Sequence, residues 1–584
     1  MRKLNFAGIL GVLLALAMIF TACPGDAETD EGGGGSTSSG ARPSITLQPV
    51  SRDYVSGDVI SELKVEADGS GTLSYQWYEA SSFANSGGTA ISGETASGFT
   101  PGSAEGAKYY YVVVTNTTEE GKATLASSPA RIQILAAAAP APEASITVND
   151  AEAAQYVRGF GGMSNAFGIG APARYMELRD IDTMFGPDGL GYKILRICVW
   201  PYDLSEIVSG AWYPEMGNQI YYEIVKRVNR YGGFVLASPW TPPAEWKTNG
   251  SLTGGGHLLP QFYSTYANYL KNFCQTMSNN GAPIYTISIQ NEPSFQAQYD
   301  GMEWTSEEHR DFLKAYGGFT QGVPGYGGGK ALDRVLVTSG EPHQNSRWND
   351  PALNDPDSAQ YLDIIAYHIY GSLDSRYPLA LNMGKETWMT EHNINSQNES
   401  LYLQDSTWNY VWLVADEIHQ VIANNDSSAF IWWYAKRFYS FIGDGSYGTI
   451  NGAVLPRGYV LSHYAKYATD TVRVGATLSS HPSAANVRVS AYQRKTDKNT
   501  DNEKKVEANE DSISLVLYDK RTTPAAPTDI KINLPSGFTA TGAYGIISDD
   551  IQKHAPVLVV LAQDGNSAVV TLPANTIISL KFTK

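Results

Sequence analysis

The stretch "ISIQNEPSF", residues 287–295, decides how the chain folds. Ile287 and Ile289 suit the interior of a sheet, yet the run ends on Gln290, Asn291, Glu292 and a proline. A parallel barrel calls for such an ending, because its functional side chains sit at the C-terminal ends of the strands. Pro293 cannot continue a ladder, so the strand stops there.

Working outward, residues 145–470 alternate apolar strand-like runs with helix-like segments. The runs are "VRGFGGM", "YKILRICVW", "GFVLASPW", "IYTISIQNE", "RVLVTSGE", "DIIAYHIY", "ETWMTEH" and "AFIWWY". Eight strands, each followed by a helix or long loop, predict an α/β chain built as a (β/α)8 TIM barrel. A doubly wound sheet alternates likewise, but no Gly-rich phosphate loop follows the first run.

"ISIQNE" is the fourth of these strands, and Glu391 ends the seventh, "ETWMTEH". Strands four and seven face each other across an eight-stranded barrel, so Glu292 and Glu391 are expected to meet at its mouth. Two carboxylates flanking one bond are the machinery of glycoside hydrolysis, and a short gap between them means retention through a covalent intermediate. The pair resembles the catalytic arrangement of the (β/α)8 retaining glycosidases, which implies that Glu292 is the acid/base, with a pKa raised by burial and by Glu391, and that Glu391 is the ionised nucleophile. Glu341, closing the fifth strand, and Asp363, opening the sixth, are further acids. Trp240, Tyr370 and Trp433 fall at strand ends, where they either stack on sugar faces or belong to the core.

The chain has 42 Lys and Arg against 59 Asp and Glu, a net charge of −17. Phosphate neutralisation needs the opposite balance, so nucleic acid is not an expected partner. Arg2 and Lys3 precede an apolar run from Phe6 to Phe20 and then "TAC". The run is too short for a membrane span and reads as a signal peptide over 1–22. "TAC" resembles a bacterial lipobox with Cys23 as the lipidated residue, which makes the chain an exported cell-surface lipoprotein; the alternative is plain secretion. Cys198 and Cys274 then remain as free thiols, which is no disulfide framework, and no Cys/His cluster has metal spacing. No metal and no cofactor are expected.

Residues 23–44 are an acidic Gly/Ser-rich linker and 136–144, "AAAAPAPEA", a second one. Between them, 45–135 alternate polar and apolar residues with regular turn signals. Trp77 in "LSYQWYEA" and the run "AKYYYVVVTNTT" resemble a bacterial immunoglobulin-like β domain. The barrel is placed at 158–470. Residues 145–157 and 471–584 are strand-rich and are assigned to a side β-sandwich.

The motifs "GFGGM", "LASPWTPPAEWKTNGSLTGGGHL", "ISIQNEP", "AYHIYG", "TWMTEH" and "WWYAKRFYS" together resemble glycoside hydrolase family 30, most of all its bacterial glucuronoxylan-cleaving xylanases. The resemblance implies a barrel fused to a small β-sandwich and a retaining endo-β-1,4-xylanase acting on xylan or glucuronoxylan. It implies that Asn291 hydrogen-bonds the sugar 2-hydroxyl and that Arg196 orients the nucleophile. It implies that Arg437 pairs with the carboxylate of a glucuronic acid branch, with Tyr439 at its matching position and Trp433 before them, and that Ser396 makes a further contact to the branch. Asn393 departs from the Tyr usual two residues after the nucleophile. The chain is expected to act as a monomer and to meet a membrane only through its lipid. The alternatives are another family 30 activity, of β-1,6-glucanase or β-glucosidase type, or a non-catalytic surface glycan-binding lipoprotein.

Overall fold

A computed structural model of the chain describes residues 41–135, 144–164, 176–199, 201, 219–344, 346–394, 408–494, 511–522 and 525–584. Cys23 and Ser396 lie outside the described residues.

Eight parallel strands close into a barrel: Gly159–Met163, Ile194–Val199, Phe234–Pro239, Thr286–Ser288, Leu336–Thr338, Ile364–His368, Glu386–Glu391 and Ala429–Tyr434. Closure is made by the pairing of Gly159–Met163 with both Ile194–Val199 and Ala429–Tyr434. Helices cover the outside, so the strands are buried on both faces and read as continuous apolar runs. The first strand, "GFGGM", needs its glycines because neighbours approach closely. A Cβ on Gly161 would sit 1.7 Å from the carbonyl oxygen of Ile194. The helix Tyr263–Asn279 shows why one face turns inward: Tyr266, Leu270, Phe273, Cys274 and Met277 recur at three- and four-residue steps and are all buried. Both described cysteines, Cys198 and Cys274, are free and buried in this core.

The side domain is a curled β-sandwich. Ala144–Asn149 lies between Thr471–Ser479, antiparallel, and Thr528–Asn533, parallel. Ile146, Val474, Leu515, Ile530 and Leu580 are among the residues of its own core. The helix Pro456–Ala468 is buried on nearly every side because it is wedged between barrel and sandwich. His463 on that helix bridges Ser579 at 2.8 Å and Ser548 at 2.9 Å.

Ahead of both lies a β unit whose largest sheet runs Arg52–Val55, Ala130–Leu135, Gly106–Thr118, Thr72–Ala80 and Thr89–Ala90. Trp77 is fully buried opposite Val112 and packs on Phe99. This unit touches the side sandwich. The buried carboxylate of Asp53 accepts the backbone N–H of Val559, and Arg131 reaches across to the carbonyl of Val557 at 3.0 Å. Among the described residues, Val559–Leu561 is an edge strand, paired on one side only, and Asp53 satisfies a backbone donor that such an edge leaves open.

Candidate active site

Each functional side chain is set by where a strand stops. Thr286–Ser288 ends the regular pairing of the fourth strand, and Asn291 then bridges to Glu341 beyond the fifth. Glu292 turns there with φ at 45°, in the left-handed region, its N–H donating to the carbonyl of Glu341 at 2.9 Å. Non-glycine residues adopt this conformation rarely, and such outliers gather at functional sites. Glu391 is the last residue of the seventh strand.

The two carboxylates meet as the sequence predicts. Oxygens of Glu292 and Glu391 and a ring nitrogen of His368 all lie within 4.8 Å of one another, and all three residues are buried. Arg196, fully buried on the second strand, binds the group together. Its Nη1 donates to Glu391 Oε2 at 2.5 Å and its Nη2 to Asn291 Oδ1 at 2.6 Å. The same Nη2 stands 3.1 Å from Glu341 Oε2. Tyr370 donates its hydroxyl to Glu391 Oε1 at 2.8 Å, so it holds the carboxylate besides stacking on His343. Asn393, where the resemblance leads one to look for Tyr, donates to the Tyr370 hydroxyl at 3.2 Å.

Glu292 is served from another side. Tyr299 donates to its Oε2 at 2.5 Å, and His368 Nδ1 lies 3.1 Å from its Oε1. His343 stands 3.7 Å away. Burial disfavours the ionised form of Glu292, but the hydrogen bond and charge of His368, together with His343 and Tyr299, outweigh burial and lower its pKa. This corrects the expectation of a raised value in the free site. Burial raises Glu391, opposed by His368 and Arg196 and reinforced by Glu292. Burial would also strip the proton from His368, yet Glu391, Glu292 and Glu341 together push its pKa up to about 9. Glu341 is fully buried, and Arg196 with His368 holds it well below the usual carboxylate range despite burial. Three carboxylates therefore face two cations, and the mismatch leaves room for one proton on the Glu292–Glu391 pair.

That proton is the one a leaving group needs. His368 is an imidazolium whose Nδ1–H donates to Glu292 Oε1 and keeps Glu292 ionised in the free site, so the shared proton rests toward Glu391 and passes to Glu292 when substrate binds. For the same reason the trio does not fit a divalent cation: Arg196 and protonated His368 already supply the positive charge, and a protonated imidazole has no lone pair to give.

Three aromatic expectations fare differently. Trp240 is 2% exposed, and the Arg196 guanidinium lies 4.6 Å above its ring, so it supports Arg196 instead of offering a face to sugar. Trp433 is half-buried beside it, ring centres 6.0 Å apart. Tyr439 is buried in a cluster with Tyr434 and Phe438, against which Trp433 packs. Arg437 follows in the loop after strand eight, its Nε 3.8 Å from the buried carboxylate of Asp444. Neither His368 nor Tyr299 was foreseen. "AYHIYG" at least places His368 on the sixth strand, whereas Tyr299 lies in a loop with no periodic signal.

A family model described as the glycosyl hydrolase family 30 TIM-barrel domain matches residues 217–388. The chain is similar to glucuronoxylanase XynC of Bacillus subtilis (strain 168), 31% identical over 379 residues, 62% of this chain and 78% of that protein.

The chain belongs to glycoside hydrolase family 30.

Among solved structures, the subfamily 8 xylanase Xyn30A of Clostridium acetobutylicum superposes with a TM-score of 0.60 at 29% identity, over 75% of this chain and all of that one. A family 30 endoxylanase from Clostridium papyrosolvens C71 gives a TM-score of 0.56 at 25% identity over the same shares. These matches cover barrel and side sandwich together, the two parts between which the helix Pro456–Ala468 is wedged. As a family 30 chain the protein is a glycoside hydrolase, and the carboxylate pair is the part of it equipped for that chemistry.

Proposed function

We propose that the protein is a retaining endo-β-1,4-xylanase of the glucuronoxylan-cleaving type. The observation that carries the reading is the approach of Glu292 and Glu391 to within 4.8 Å. Retaining enzymes hold their carboxyl groups about 5–5.5 Å apart, and inverting ones leave a wider gap for water. The substrate class comes from the likeness to XynC and Xyn30A.

Glu391, aimed by Arg196 and Tyr370, attacks the anomeric carbon. Glu292 passes its proton to the departing glycosidic oxygen, and a glycosyl ester forms on Glu391. Esterification removes the negative charge of Glu391, and Glu292, its proton given to the leaving group, stays ionised between His368 and Tyr299. It then takes a proton from water, and the hydroxide releases the sugar with the anomeric configuration retained. Asn291, held by Arg196, presents its amide to the sugar 2-hydroxyl. Products from purified glucuronoxylan, unsubstituted xylan and β-1,6-glucan, with the anomer first formed followed by NMR, test the reading. Inversion, or cleavage of the glucan alone, would overturn it.

Arg437 is proposed to pair with the carboxylate of a glucuronic acid branch, since guanidinium offers two parallel donors. Asp444 holds it from one edge. Arg437→Ala is expected to lower kcat/KM on glucuronoxylan by about tenfold or more, roughly 1.4 kcal/mol. Unsubstituted xylan should be cleaved as before, and equal losses on both polymers would count against the assignment. The reading extends to residues 45–135 as an immunoglobulin-like module and to an export signal with lipidation at Cys23, supported by the "TAC" motif after the apolar run.

A further inference from the structure

Lys247 is 3% exposed, in the loop after strand three. Its Nζ donates to the carbonyls of Leu252, at 3.1 Å, and Gly301, at 2.6 Å. Leu252 O also accepts the N–H of Gly301 at 3.2 Å, so one carbonyl receives donors from both sides. Thr253 bridges Asp300, and Gly256 donates to Glu303 at 3.0 Å. The loops after strands three and four are thereby sewn together, and the ammonium lies at the crossing. Burial pulls the Lys247 pKa down to about 8 against Asp300 and Glu303, and even the neutral amine keeps two N–H groups for two carbonyls.

Two residues before Gly301 stands Tyr299, whose hydroxyl reaches Glu292. The residue is 50% exposed, so packing alone does not fix the ring. The backbone that carries it must do so, and that backbone is pinned at Gly301.

We propose that Lys247 is a positioning residue for catalysis: by tying Leu252 to Gly301 it holds Tyr299 on the acid/base Glu292. The proposal rests on the assignment of Glu292 above. Tyr299 stabilises ionised Glu292, so losing its donation raises the pKa of that acid. Glycosylation needs Glu292 protonated, so the descending limb of the pH profile of kcat/KM moves to higher pH.

The experiment is a double-mutant cycle on the full chain with glucuronoxylan, reading that limb. Tyr299→Phe should raise it by about half a unit or more. Lys247→Met should raise it in the same direction, Lys247→Arg should leave it near wild type, and Lys247→Met with Tyr299→Phe should move it no further than Tyr299→Phe alone. Additive shifts would mean that Lys247 acts by charge at a distance, and an unmoved limb in Lys247→Met would mean that Tyr299 needs no anchor; either overturns the proposal. Should Lys247→Met fail to fold, Tyr299→Phe and Lys247→Arg still decide it, since an unmoved limb in the first or a displaced one in the second sinks it. Wild type inactive on every glycan would defeat the Glu292 assignment instead, a result distinct from these.

Discussion

Glu391→Gln is expected to abolish hydrolysis, lowering kcat on glucuronoxylan by at least about 10⁴-fold. An amide cannot attack the anomeric carbon, and the loss should be as deep on substrates with good leaving groups as on poor ones. The variant should still fold. Arg196 keeps Glu341 as its counter-ion at 3.1 Å and Ser238 as an acceptor at 3.0 Å, so no buried charge is stranded. Binding of xylo-oligosaccharides by calorimetry, alongside turnover, checks both halves. Near-normal turnover would mean that another group forms the covalent intermediate.

Glu292→Gln is expected to cost about 10²–10⁴-fold on the polysaccharide, the usual worth of general acid–base assistance. The loss should shrink on aryl glycosides with good leaving groups, whose departure needs no proton. A burst of phenol followed by slow turnover should appear, because hydrolysis of the ester lacks its base. Stopped-flow measurement of the burst is the check. A uniform loss on all substrates would place the proton elsewhere, with His368 the first group to test, since it is bonded to Glu292 at 3.1 Å.

The barrel and its two carboxylates were legible because both depend on local order. A run such as "IYTISIQNEP" declares its strand and its stopping point within ten residues, and in a parallel barrel the stopping point is the site. Arg196 was legible as a polar residue on an apolar strand, although its partner Glu391 is 195 positions away. Trp240 shows where such reading stops. A tryptophan at a strand end looks the same whether its face is open to sugar or covered by a guanidinium, and only the fold distinguishes the two. The pKa of Glu292 failed for a similar reason. Burial and Glu391 could be anticipated, but the imidazolium of His368 comes from a strand whose register against the fourth no sequence pattern specifies. Lys247 binds loop carbonyls and Tyr299 reaches Glu292 from a loop, and neither leaves a residue-type signature. Nor did the linker composition at 136–144 hint that Asp53 would dock the β unit on the side sandwich.

The backbone of Glu292 has a consequence for evolution and engineering. A side chain held at φ 45° and buried with its charge sits where an asparagine would be more at ease. Function here is kept at the expense of stability, by about 1–2 kcal/mol from the backbone alone. Glu292→Asn should recover that backbone cost, offset by the lost contacts with His368 and Tyr299, while hydrolysing almost nothing, as calorimetry of the pair beside a turnover assay would reveal. Selection for heat resistance without selection for turnover would then erode this position early, and a thermostabilised library should be screened for activity before position 292 is allowed to vary.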